Sequence, residues 1–208
     1  MTQSDLSGWE VSKAKEFCLS VRDGTHDSPR FVEVGYPLVT SKHLKDGGLS
    51  LDSAELISQS DFDDINKRSK VDQWDVIFTM IGTIGEVYLV AEEDPQFAIK
   101  NVGLFKCGSQ AKAKWLYYWF KNPATRREIL QVRRGASQQY IPLSSLRDLE
   151  IKHPACEEVM LDVVGRVTAL DDLIENNRRR IALLEQSARL LYREWFVRFR
   201  FPGHEKVK

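Results

Sequence analysis

Towards the C-terminal end of the chain, one set of positions recurs in steps of three and four without a break: Met160, Val163, Val167, Leu170, Ile174, Asn177, Ile181, Leu184, Ala188, Leu191 and Trp195. All but Asn177 are apolar. Such spacing draws one stripe along a helix, and over about five heptads it is the pattern of a coiled-coil seam. At about 1.5 Å per residue the helix is roughly 50 Å long. That is too long for a domain of this size to cover, so the stripe needs a partner. The outer face also suits a helix: Glu175 and Arg179, Glu185 and Arg189, and Glu194 and Arg198 lie four apart with the acid first, the more favourable order. Glu157 and Glu158 fall where the positive helix end favours carboxylates. Pro202-Gly203 stops the helix. Asn177 occupies a seam position near the midpoint, where a buried amide costs stability but fixes register and partner number.

Upstream the pattern breaks into short pieces. Trp9 to Val21, Tyr36 to Thr40, Leu49 to Ile57, Glu86 to Ala91, Phe97 to Cys107 and Leu149 to Lys152 read as strand regions, and Asp75 to Ile81 as a buried strand. Ser60 is placed to cap a helix running to about Arg68. Ala111 to Lys121 reads as a helix interrupted by Pro123 and resuming to about Val132, with Gly135 as its end. Ser144 or Ser145 starts a single turn. Asp23-Gly24-Thr25-His26-Asp27-Ser28-Pro29, Asp46-Gly47-Gly48, Gly82-Thr83-Ile84-Gly85 and Ser137-Gln138-Gln139-Tyr140 are loops or turns. The expected class is α+β, a mixed α/β domain over residues 1–153, a long helix over 154–201 and a tail over 202–208.

Composition limits what this domain can do. Thirty basic and thirty acidic residues balance to a net charge of zero, which argues against a nonspecific nucleic-acid coat but leaves room for a basic face. No stretch approaches the roughly 18 uncharged apolar residues of a membrane span, and the N-terminal residues lack the pattern of a secretory signal. Cys18, Cys107 and Cys156 are widely spaced and read as reduced, buried thiols of a cytoplasmic protein.

Catalytic patterns are scarce. Asn122-Pro123-Ala124-Thr125 loosely matches the Asn-Pro-Pro-aromatic motif of amino-methyltransferases, without its second proline or aromatic, and reads better as a helix break. Gly82-Thr83-Ile84-Gly85 joins two strands, so it is no phosphate-binding fingerprint. Glu150-Ile151-Lys152 has a nuclease-like order but no acidic partner at a plausible spacing beyond Asp148. His26, His43, His153 and His204 show no metal-ligand spacing. No catalytic residue, metal or cofactor is expected in this chain. Binding features are richer. Lys67-Arg68-Ser69-Lys70, Arg126-Arg127 and Arg133-Arg134 are basic clusters, and Gln138-Gln139 follows the last of them. Cations suit phosphates, and glutamine can pair bidentately with adenine.

The order of these motifs is familiar. The Asp23 to Pro29 loop, Asp75-Val76-Ile77-Phe78-Thr79 leading into Gly82 to Gly85, Asn101-Val102-Gly103, Gly135 to Ile141, Ile151 to Glu158, and a heptad helix ending Leu191-Tyr192-Arg193-Glu194-Trp195-Phe196 together resemble the specificity (S) subunit of type I restriction–modification enzymes. The resemblance spans about residues 9 to 205. It implies a target recognition domain that reads one half of a split site in double-stranded DNA, followed by a spacer helix. In the family two such helices pack antiparallel, set the distance between half-sites and dock methyltransferase (M) subunits. Those subunits carry out adenine methylation with S-adenosylmethionine, and a restriction (R) subunit can join to cleave. Two departures stand out. This chain carries one recognition domain and one helix, as a half S subunit would. The usual Pro-Pro-Leu-Glu-Glu-Gln appears as Pro154-Ala155-Cys156-Glu157-Glu158-Val159.

The expectation is therefore a non-catalytic DNA-recognition subunit. Its helix would form an antiparallel coiled coil with a second copy or with another half subunit. The expected DNA contacts are Thr25, His26, Ser28, Arg30, Lys42, Lys67, Arg68, Lys70, Thr83, Arg133, Arg134, Gln138, Gln139 and Tyr140. The alternatives are a stand-alone DNA-binding regulator and a competitor for M subunits that does not read DNA.

Overall fold

Residues 8–135 and 139–206 are described by a computed structural model of the chain. Their elements are, in order, β1 (Trp9–Lys13), α1 (Ala14–Phe17), β2 (Ser20–Asp23), β3 (Phe31–Val32), β4 (Tyr36–Val39), β5 (Leu44–Lys45), β6 (Gly48–Leu49), β7 (Leu56–Ile57), α2 (Gln59–Ser69), β8 (Asp75–Thr79), β9 (Val87–Leu89), β10 (Ala98–Ile99), β11 (Val102–Lys106), α3 (Gln110–Lys121), α4 (Pro123–Gln131), α5 (Leu143–Arg147), β12 (Glu150–Pro154) and α6 (Glu157–Tyr192). The class is α+β with a long C-terminal helix. Contacts divide the chain into Met1–Val164 and Gly165–Lys208.

In the first unit, β8 and β11 are the inner strands of an antiparallel sheet ordered β2-β11-β8-β9. Both faces of this sheet are covered, so every residue of β8 is buried. Strand alternation sends Val76, Phe78 and Phe105 into one cluster with Phe17, Leu116 and Phe120. It sends Ile77, Val102 and Leu104 into another with Val39, Val90 and Ile99. Phe120 on α3 sits 4.8 Å from the Phe78 ring and 5.1 Å from Phe105, tilted against both, as aromatic quadrupoles prefer. A second sheet, β10-β4-β7-β3, packs through β4 and β10, which pair in parallel. β1 and β12 pair antiparallel, joining the start of the domain to its end.

Several expected elements are cut differently, each for a local reason. The Trp9 to Val21 strand is broken by α1, where the Glu16 carboxylate accepts the Lys13 amide. Leu49 to Ile57 leaves only β6 and β7, because the chain turns at Leu51 to Ala54. Phe97 to Cys107 is two strands, since Asn101, at a φ of 56°, turns the chain from the second sheet into the central one. α2 is capped by Ser58 rather than Ser60, and the Ser58 hydroxyl accepts the Asp61 amide. Asn122 caps α4 and Pro123 is its first residue, where a missing N–H costs nothing. The Asn-Pro pair is thus a helix start. α4 ends at Gln131, before Gly135, and α5 begins at Leu143 after Pro142.

Cys18 and Cys107 are buried, and the neighbouring Cys18 side chain and burial both push the Cys107 thiol up. Cys156 is exposed, contrary to the expectation of three buried thiols, because it stands immediately before α6. Among the described residues no helix is long and apolar enough to cross a membrane.

α6 runs 36 residues, about 54 Å at 1.5 Å per residue. Arg193–Val197 continue it as a π-helical turn, and the helix ends there, with Phe199 at a φ of 54° just beyond. The helix thus starts three residues after, and ends before, the bounds of 154 and 201 read from the pattern. Met160, placed at the head of the seam by its spacing, is buried in the first unit's core, as is Val164 one turn later. The first two turns of the helix therefore complete the domain.

Candidate nucleic-acid interface

The strand register gathers loops from distant parts of the sequence at one end of the central sheet. Gly103 pairs with both Asp23 and Phe78, and Val102 with Thr79. β2 and β8 therefore finish on either side of the start of β11. The loop after β2 packs onto that place: the Thr25 amide donates to Ile99 O (3.0 Å) and the Asn101 amide to Thr25 O (3.1 Å). Gly24 is required there, because a Cβ would fall 2.4 Å from the Ile99 carbonyl oxygen. β4 finishes at the same end, with the Lys100 amide donating to Val39 O (2.8 Å).

The turn after β8 rises between these loops. Gly82 and Gly85 take φ values of 77° and 94°, the left-handed region in which glycine is the ordinary residue. The buried Thr79 hydroxyl braces the turn, donating to Thr83 O and accepting the Glu86 amide. Ser41 approaches Gly82, with its Oγ 3.4 Å from where a Cβ would stand, so Lys42 lies beside the turn. On the other side Tyr140 bridges both Ile81 and Arg134. Arg126 sits beside Gly85 and donates to Glu86 at 3.2 Å. Arg127, Arg133, Arg134 and Gln139 line an open depression of about 660 Å³.

The expected DNA contacts separate accordingly. Thr25, His26, Ser28, Lys42, Thr83, Arg134, Gln139 and Tyr140 come to this end, with Arg133 beside Arg134. Gln138 lies outside the described residues. Arg30 heads β3, and the β3-β7-β4 register puts it by Tyr36, away from the Val39 end. Lys70 points to the opposite end, where it pairs with Asp72 at 3.1 Å beside Lys106 and Asp75. Lys67 and Arg68 line a flanking cleft, and Asp64 beside Lys67 holds its ammonium above the usual range.

Several of these side chains already have architectural partners. Thr25 is buried and bonds with Asp27. His26 lies between Asp23 (2.8 Å) and Asn101 (2.7 Å). Lys100 donates to Ser28 (2.7 Å). Arg68 donates to the Asp23 carboxylate and the Gly24 carbonyl. These residues hold the loop in shape. Among the described residues Lys42, Arg133 and Gln139 show no hydrogen bond or ion pair, and their side chains are exposed. Sequence reasoning did not select Ser41, Lys100, Asn101, Arg126 or Arg127. The Arg126-Arg127 pair left a signal as a basic cluster, and Asn101 as part of Asn101-Val102-Gly103.

The second unit presents a different surface. Val167, Leu170, Ile174, Ile181, Leu184, Leu191 and Trp195 are all exposed along α6 and its π-helical extension, between 37% and 69%. Asn177 and Ala188 are exposed with them, and Val163 is exposed in the first unit. The charges on this helix are segregated. From Glu157 to Asn176 stand six carboxylates (Glu157, Glu158, Asp162, Asp171, Asp172, Glu175) and Arg166. From Asn177 to Val197 stand five arginines (178, 179, 180, 189, 193) and two glutamates, with Arg198 and Arg200 just beyond the helix end. Both glutamates form ion pairs: Glu185 with Arg189 at 3.7 Å, and Glu194 with Arg198 at 2.6 Å.

Comparison with known proteins identifies this combination of domain and helix. Residues 6–186 match the family model of the type I restriction modification DNA specificity domain. The chain is 30% identical over 96 residues to the type I restriction enzyme MjaIX specificity subunit of Methanocaldococcus jannaschii, which covers 46% of this chain and 22% of that protein. It is 24% identical over 146 residues to the EcoBI specificity subunit of Escherichia coli, covering 67% of this chain and 29% of that protein. Its fold is similar to the S subunit of the type I system from M. genitalium, with a TM-score of 0.65 at 15% identity over 95% of this chain and 48% of that one. It is also similar to the HsdS subunit from Thermoanaerobacter tengcongensis, with a TM-score of 0.58 at 15% identity over 86% of this chain and 41% of that one. The chain thus spans about half the length of these solved subunits. With a family match that runs from the first strand well into the long helix, the chain belongs to the type I restriction–modification specificity subunits and carries one recognition domain.

Proposed function

We propose that this chain reads one half of a split duplex site and that a second copy reads the other half. The observation that carries the DNA-reading part is the convergence, at one end of the central sheet, of the loops after β2, β4 and β8 with Arg134, Gln139 and Tyr140. Exposed cations and a glutamine stand there on braced backbone, the chemistry that contacts phosphates and base edges. Catalysis lies elsewhere: M subunits holding S-adenosylmethionine dock on the complex and methylate adenine, and an R subunit joins when cleavage is required.

The second copy is supported by the exposed seam and by the charge pattern. An apolar stripe of this length buries only against another helix. Set antiparallel, the acidic half of one helix lies along the basic half of the other, in both directions by symmetry. Set parallel, like charges run side by side. Two antiparallel copies would rebuild the two-domain, two-helix form of a full subunit, with a palindromic split site. Co-expression with the methyltransferase tests the proposal. A complex of two copies with M subunits that binds one duplex sequence specifically is the expected result. A chain that fails to co-purify with M, or a complex without sequence preference, would contradict it.

A further inference from the structure

A second cationic site lies beside the converging loops, in the cleft between β2, the C-terminal end of α2 and α5. It is lined by Arg22, Asp23, Lys67, Arg68, Leu143 and Arg147 and encloses about 570 Å³. Four cations face two carboxylates here, Asp23 and the Asp64 partner of Lys67. Arg68 takes Asp23 at 2.6 Å, which leaves Arg22 and Arg147 without a carboxylate among the described residues. Both guanidiniums are nonetheless fixed. Arg147 donates its Nε to Val21 O at 3.0 Å, and Arg22 donates one amino group to Arg68 O at 2.8 Å. Each is therefore pinned by a backbone carbonyl through one donor, with the rest of a planar five-donor fork uncommitted. Gathering like charges in this way costs repulsion that an anion would relieve.

We propose that this cleft is a preorganised site for a phosphate oxyanion, held by Arg22 and Arg147 with Lys67 at the mouth. The tetrahedral anion is the shared chemistry, and the DNA backbone is its source. Arg22 and Asp23 are the last residues of β2, whose following loop carries Thr25 to Ser28 to the converging face. A duplex lying across that face would run its backbone past the cleft. This assignment of a backbone contact rests on the DNA-reading proposal, but the anion site itself does not. Such a site adds affinity and orientation without adding sequence information.

The test uses the full chain and three variants: Lys67→Gln, whose side chain pairs with the exposed Asp64 of the same helix, Arg22→Gln, and Arg22→Gln/Arg147→Gln, each checked by its thermal melt. Binding to a random-sequence duplex is measured against salt, and inorganic phosphate binding is followed in parallel by phosphorus NMR. The expected result is a several-fold loss of duplex affinity, with the salt slope reduced by about one for each phosphate contact removed, and weaker phosphate binding in the same variants. Unchanged slope and unchanged phosphate binding in folded variants would overturn the site. Loss of phosphate binding with an unchanged duplex slope would keep the anion site and overturn its assignment to the DNA backbone. Phosphate binding that depends on these residues, in a chain that binds no duplex at all, would keep the site and sink the DNA-reading proposal instead.

Discussion

The Arg68 guanidinium lies 2.6 Å from the Asp23 carboxylate, which is only 13% exposed, and also donates to the Gly24 carbonyl. One side chain at the end of α2 therefore holds the loop that follows β2. Arg68→Ala is expected to cost about 1.5 kcal/mol of stability, the lower end for hydrogen bonds to charged groups because the arginine is more than half exposed. Urea denaturation measures this directly. No loss of stability, together with weakened DNA binding, would instead make Arg68 a direct contact.

Residues without architectural partners should behave in the opposite way. Arg133→Ala and Gln139→Ala are expected to leave the melt within about 0.5 kcal/mol of the parent. If Gln139 meets a base edge, its loss weakens discrimination at one position by about 1–3 kcal/mol. Arg133→Ala would lower affinity evenly across sequences. Competition binding of the methyltransferase complex against single-base variants of its site distinguishes the two patterns.

At the opposite end of the sheet, Lys106 bridges Asp75 and Asp72, each at 2.7 Å. Burial pushes the Asp75 carboxyl up although Lys106 opposes it. Asp72, also desolvated, is nevertheless held below its usual value by Lys106 and Lys70. The two therefore act on stability with opposite signs. Asp72 contributes above its ordinary value of 3.8, and that contribution is lost as pH falls through its lower folded value. Ionised Asp75 opposes folding, and the opposition fades as pH falls through its raised value. Lys106→Met leaves Asp75 unpaired and should cost about 3 kcal/mol at neutral pH. The deficit should narrow in acid as Asp75 protonates. Denaturation midpoints across pH check this, and a pH-independent deficit would contradict it.

Asn177 stands at a seam position near the middle of the helix that α6 and its π-helical extension form. Asn177→Leu is expected to raise the melting temperature of the pair while loosening its register. Calorimetry reads the first effect and cysteine cross-linking along the seam reads the second. A lowered or unchanged melting temperature would mean that Asn177 is not buried between helices.

The long helix and the buried β8 strand were legible in the sequence because their periodicity is local and sustained. The loops at Asp23 to Pro29 and Gly82 to Gly85 were legible from turn chemistry. What was not legible depended on register. Nothing local distinguishes Lys70, which faces Asp72, from Lys42, which faces the converging loops. The pairing of β4 with β10 brings Lys42 to the converging loops, and the start of β8 keeps Lys70 at the other end. Met160 fits the heptad as well as Val163 does, and tertiary burial alone assigns it to the domain core. The two-residue strands β3 and β7 are too short to carry a period.

Two copies of a single recognition domain are proposed to read one split site. Methylation sequencing of DNA from cells carrying this chain and its M subunit tests this most directly. The expected result is methylated adenines in a palindromic motif of two half-sites separated by a fixed spacer, lost when this chain is removed. An asymmetric motif, a continuous one, or methylation that persists without the chain would contradict it.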